Sequence, residues 1–149
     1  MYPLINTIYS HRPATTVATA QNPSARLVLV KGNDAQIPDT LLDEFIHGER
    51  PFLRQGYTLI DMSKDLRIPR HILSRMINRQ YGKNFNALIN HFRVEYLKRI
   101  PDHDPSWTLY TMEALGKMAG FNSRNTLIKA FKKCTGESPS SYFTRRMTS

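Results

Sequence analysis

The chain has 149 residues, 40% hydrophobic and 22% charged, enough for one ordinary domain or two very small ones sharing an element, and too apolar to stay disordered. Lys and Arg number 21 against 12 Asp and Glu, a net charge of +9 that is segregated: residues 1–49 hold three basic and five acidic groups, residues 50–149 eighteen and seven. A basic half of that size favours a polyanionic partner, nucleic acid ahead of an anionic membrane. The sequence has no run of eighteen apolar residues and no signal-peptide pattern, and its single cysteine, Cys134, cannot form an internal disulfide, so the expectation is a cytoplasmic protein.

Residues 1–38 lack a helical period and carry four prolines, at 3, 13, 23 and 38. Only RLVLV (26–30) has strand character, and a lone strand has no partner. The segment reads as an irregular N-terminal arm or linker. From residue 39 the pattern turns helical. Thr40-x-x-Asp43 is a capping-box candidate ahead of LLDEFIHGERPFL, with Leu41, Leu42, Phe45 and Ile46 on one stripe. Thr58-x-x-Asp61 caps a second helix that turns Leu59, Met62 and Leu66 inward. Pro69 suits the first turn of a third, which buries Ile72, Leu73, Met76 and Ile77 and ends at Gly82.

Asn84 opens a long helix, NFNALINHFRVEYLKRI, with Pro101 as its expected stop. Two apolar stripes, Phe85/Leu88/Ile89/Phe92/Tyr96 and Val94/Leu97/Ile100, mark it as packed from two sides, as a connector would be. After a loop, DHDPSW, Thr111 caps a helix carrying Met112, Leu115 and Met118. Ser123 caps the next, whose buried stripe is expected to be Leu127, Ala130, Phe131 and Cys134. A final helix starts at Ser138-Pro139 and holds Tyr142 and Phe143. The expected fold is all-α, about seven helices.

The two halves repeat. A shift of 53 carries Thr58, Leu59, Met62, Ser63 and Ile68 onto Thr111, Met112, Leu115, Gly116 and Phe121. A shift of 54 carries Arg70, Leu73, Ile77 and Gly82 onto Arg124, Leu127, Phe131 and Gly136, so the second turn has gained one residue. Each unit is a helix, a short turn and a helix, with a small residue (Ser63 or Gly116) where the helices approach: helix-turn-helix geometry. The expected organisation is subdomains 39–83 and 108–147 joined by a connector helix, 84–100, within a domain of residues 39–149.

GFNSRNTLIKAFKKCTGESPSSYF resembles the C-terminal signature of the AraC/XylS-type transcription regulators, with Gly-Phe, a capping Ser, Phe-Lys-Lys, Gly, Pro and Tyr in place. RHILSRMINRQYGKNFNALINHFRVEYLKR is similar to that family's first recognition helix and connector, and the resemblance covers residues 40–147. It implies two helix-turn-helix units that place their second helices in successive major grooves of double-stranded DNA, and contact with RNA polymerase. Three departures stand out: Pro69 replaces a usual capping Ser or Thr, Leu97 replaces an Ala on the connector, and Pro101 falls early.

With the apolar stripes subtracted, the candidate base readers are His71, Ser74 and Arg75 in the first unit and Arg124, Asn125 and Lys129 in the second. Arg bonds guanine through O6 and N7, Asn bonds adenine through N6 and N7, and the N-terminal part of a recognition helix enters the groove most deeply. The same positions carry base contacts in the family that the chain resembles. Arg70, Arg79, Lys132 and Lys133 suit phosphates, where any cation serves. Ile128, apolar among cations, has two readings: contact with a thymine methyl, or an exposed side chain without a role. His71 has the alternative of a solvated surface histidine.

An enzyme is disfavoured. The five histidines show no metal-ligand spacing, Asp102-His103-Asp104 reads as loop, and no Gly-rich phosphate loop is present. Neither a cofactor nor a metal is expected. A helical protein-interaction module, or the DNA-binding output piece of a larger sensor, is the rival reading.

Overall fold

The computed structural model describes residues 37, 38 and 40–148, so the RLVLV segment and nearly all of the N-terminal arm lie outside the described residues. Among these, the chain is all-helical, with seven α-helices and two 3₁₀ segments: α1 (Thr40–Glu49), a 3₁₀ turn (Pro51–Leu53), α2 (Leu59–Leu66), α3 (Arg70–Tyr81), α4 (Phe85–His103), a second 3₁₀ segment (Pro105–Leu109), α5 (Met112–Met118), α6 (Arg124–Thr135) and α7 (Pro139–Met147).

The local signals that start these helices act as their chemistry requires. Thr58 and Asp61 form a reciprocal capping box on α2. Asn84, Thr111, Ser123 and Ser138 each accept a backbone N–H two or three residues into α4, α5, α6 and α7. Gly82 and Gly136 close α3 and α6 in the left-handed conformation. Pro69, expected in the first turn of α3, instead stands just before it at the N-cap position, where its missing hydroxyl leaves the helix without a side-chain cap.

Several expectations need correction. Thr40 is the first residue of α1 rather than its cap, and Asp43 is drawn elsewhere: its carboxylate accepts from Gln80 Nε2 at 2.9 Å and from the Tyr81 hydroxyl, tying α1 to the end of α3. The helical pattern of LLDEFIHGERPFL breaks at Arg50, whose φ of 48° reverses the chain before Pro51. Helix α4 continues past Pro101 to His103. Pro101 lies in the last turn, where only one backbone bond is forfeited, and the fully buried Leu97 and Ile100 anchor the turn before it. Asp102 and His103 are thus helical, and Pro105–Leu109 forms 3₁₀ structure begun by Asp104, whose side chain accepts from the Ser106 N–H. Ile37, placed with the arm by sequence, is buried in the core.

The core is continuous. Leu42, Ile46, Met62, Leu73 and Ile77 pack in the first half, Leu115, Leu127, Phe131 and Phe143 in the second, and α4 supplies Leu88, Val94, Leu97 and Ile100 between them. Both α3 and α6 pack on α4. At roughly 25 cal/mol per Å² of apolar surface, a buried Leu or Ile contributes about 1.5–3 kcal/mol. The two stripes of α4 therefore weld both halves to one rod. Leu97, where the resembled family carries Ala, is completely enclosed.

Candidate nucleic-acid interface

Helices α2/α3 and α5/α6 are joined by turns with the same hydrogen bonds. In the first, the Arg67 N–H donates to Lys64 O at 3.2 Å and the Ile68 N–H to Ser63 O at 3.1 Å. In the second, the Gly120 N–H donates to Lys117 O at 3.0 Å and the Phe121 N–H to Gly116 O at 2.9 Å. This paired pattern around a left-handed residue is a Schellman turn, and its apolar anchor (Ile68 or Phe121) is buried in both. Ser63 donates its hydroxyl to Ile68 O at 2.6 Å, whereas a Cβ added at Gly116 would stand 2.9 Å from Leu127 Cδ2. Small residues sit where the helices cross.

On this frame, His71, Ser74 and Arg75 of α3 and Arg124, Asn125 and Lys129 of α6 are all exposed. So are Arg70, Arg79, Lys132 and Lys133. Their opposite faces are the buried stripes Ile72/Leu73/Met76/Ile77 and Leu127/Ala130/Phe131. Ile128 is half-buried and lies outside the core cluster, so it is neither a core residue nor a fully projecting one. Cys134 was expected on the buried stripe of α6 and is instead exposed, one residue before the helix ends at Thr135. Partial burial first, then Glu95, push its thiol pKa up, and the nearby Lys133, Lys83 and Lys98 only partly offset this.

Acidic groups near the basic faces are themselves paired. Glu113 bonds Lys117 at 3.0 Å and also feels Arg124; these cations hold its carboxyl below the usual range. Asp65 accepts from Arg54 and from the Tyr57 hydroxyl, both at 2.9 Å.

Sequence reasoning passed over Arg93. It sits in α4 among apolar neighbours and is only 7% exposed. Its guanidinium donates from Nε to Phe52 O at 2.7 Å, from Nη2 to Arg54 O at 3.0 Å and from Nη1 to Asn90 Oδ1 at 3.4 Å, and it lies 5.5 Å from the centroid of the Phe121 ring. Burial brings its pKa down to about 10. The available signal was an arginine four residues from both Ile89 and Leu97, in register with the apolar positions of α4.

Among the described residues, no cluster of His, Cys, Asp and Glu could hold a metal, and no helix is long and apolar enough to cross a membrane.

A helix-turn-helix domain model matches residues 62–145, more than half of the chain. Two solved structures are similar. A protein of unknown function from Listeria innocua is 23% identical with a TM-score of 0.58, the match covering 69% of this chain and 91% of that one, a likeness of fold. The C-terminal domain of AraT, a response regulator from Geobacillus stearothermophilus, is 25% identical with a TM-score of 0.55, over 66% and 77%. No curated protein matches. The paired Schellman turns, the exposed basic faces of α3 and α6 and these matches converge: the chain belongs to the AraC-type helix-turn-helix family of DNA-binding transcription regulators.

Proposed function

We propose that α3 and α6 read two successive major grooves on one face of duplex DNA, with α4 as the spacer that sets them about 34 Å, one DNA turn, apart. The repeated turn carries this reading: equivalent backbone geometry presents equivalent exposed positions, Arg70 and Arg124, at the start of each second helix. His71, Ser74, Arg75, Arg124, Asn125 and Lys129 read base edges. Ile128, half-buried at the foot of the second face, meets a thymine methyl. Arg70, Arg79, Lys132 and Lys133 bind phosphates and set affinity without sequence. The subdomain division at residues 39–83 and 108–147 belongs to this reading. So does an output role in a larger regulatory protein, supported by the similar domain being the C-terminal part of a response regulator.

Selection from a random duplex pool yields the probe for the test. Arg75→Ala or Arg124→Ala should cost about 1–3 kcal/mol on the selected site and relax one base position each. Lys132→Ala should weaken all sequences alike and reduce the salt slope by about one. Arginine variants that behave like the lysine variant would remove the assignment of readers. Salt-independent behaviour with no duplex binding would leave the protein-interaction reading in its place.

A further inference from the structure

We propose that Arg93 is a positioning residue for DNA recognition: by locking the 52–54 segment and the turn at Phe121 to the connector, it fixes how α3 and α6 are set relative to each other. The inference rests on the two-groove reading above for its consequence in DNA binding, though not for its geometry.

Three observations lead there. First, every hydrogen-bond partner of the buried guanidinium is a neutral oxygen, Phe52 O, Arg54 O or Asn90 Oδ1. An ion buried without a counter-charge is poor value for stability alone, since an apolar side chain of similar volume would fill the site without desolvating a charge. A planar fork of five donors does what an apolar group cannot: it bonds two backbone carbonyls in a fixed direction. Second, those carbonyls belong to the strap between α1 and α2, and the ring under the guanidinium, Phe121, is the buried anchor of the α5/α6 turn. One side chain of α4 therefore touches both halves. Third, the halves abut at this point. A Cβ added at Gly120 would lie 2.3 Å from Phe52 O, and Gln55 Nε2 donates to Lys117 O at 3.4 Å. Phe52 in turn stacks on Phe92 of α4, centroids 5.7 Å apart. The strap, the connector and the second turn meet around one cation.

The consequence is a rigid spacing. Two reading helices tolerate only the half-site separation that their mutual orientation matches, and any looseness at their junction is read as lost discrimination.

The direct test uses no DNA. Cys134 is exposed and is the only cysteine, so the full chain carrying Asn78→Cys accepts one spin label on α3 and one on α6. With Arg93 present, the inter-label distance distribution should be narrow. In Arg93→Met it should broaden or shift while far-UV circular dichroism still reports helix; Arg93→Lys, which can reach one carbonyl but not both, should fall between, and it carries the test if the Met variant does not fold. A Met or Lys variant with the parent's mean and width would overturn the proposal. The second readout compares the selected duplex with one lengthened by a base pair between its halves. The parent should prefer the former by about tenfold or more, and Arg93→Lys should lose most of that preference while keeping its binding to random duplex. Narrow parental distances that broaden in the variants, with no spacing preference in the parent, would support the positioning role and refute the two-groove reading; a spacing preference that Arg93→Lys retains in full would refute the positioning role.

Discussion

The turns joining α2 to α3 and α5 to α6 carry the same hydrogen bonds around different residues. At the left-handed position the first has Arg67, with φ of 53°, and the second has Gly120, with φ of 87°. Arg67 faces solvent; Gly120 is buried with the Phe52 carbonyl against it. Local conformation alone asks for glycine at both and tolerates another residue at a cost of about 1–2 kcal/mol. The first turn bears that cost because nothing crowds it. The second cannot, because the strap of the other half occupies the space where a side chain would begin. Equivalent backbones thus stand under unequal constraint, and the inequality comes from how the halves dock.

Substitution should expose that inequality. Gly120→Ala combines a left-handed alanine with a clash against backbone, and is expected to cost about 3 kcal/mol or more in denaturant unfolding. Arg67→Ala should change stability by less than about 0.5 kcal/mol, since both side chains meet the same local strain in open solvent. A small cost for Gly120→Ala would mean that the halves do not dock as described. The caps come next. Ser123→Ala removes the cap of α6 and should cost about 1 kcal/mol, whereas Pro69→Ser offers α3 a cap that it lacks and should gain roughly 0.5 kcal/mol. Arg67→Gly should also gain, by about 0.5 kcal/mol, relief of strain being partly offset by the freedom of glycine in the unfolded chain. If Arg67→Gly destabilised the protein, the strain assigned to that turn would be absent.

The smallest effect is the response of the first half to alkali. Tyr57 and Tyr81 donate to Asp65 and Asp43, and burial first, then these carboxylates, raise both phenols well above the ordinary value near 10. A phenol held neutral in the fold contributes stability that is intact below the unfolded pKa and fades as pH rises beyond it. Ultraviolet titration should show Tyr57 and Tyr81 among the tyrosines that ionise only as helix content is lost, and Tyr81→Phe should reduce that late-ionising group by one. Seven tyrosines titrating together while the fold persists would contradict the two hydrogen bonds.

Much of this was legible in the sequence because it is decided within a few residues. A side-chain oxygen two or three positions from a free N–H makes a cap, a period of 3.6 makes a buried stripe, and Ser63 and Gly116 mark a crossing whatever lies beyond it. The repeat followed from the same local rules applied twice, and with it the exposed faces that bear Arg75 and Arg124. Where the local rule met a distant partner, it failed. Asp43 left its expected cap for Gln80 and Tyr81, 37 and 38 residues away. Pro101 did not stop α4, because Leu97 and Ile100 were already held on both sides. Arg93 drew no expectation from the sequence, because its partner Phe52 O lies 41 residues earlier and comes within 2.7 Å only in the fold. The sequence by itself determined which segments coil and which faces stay polar, since those depend on near neighbours and on the period of apolar residues. Tertiary structure alone decided which cation is buried and which glycine cannot be replaced, because both depend on the close approach of groups that the chain keeps far apart until it folds.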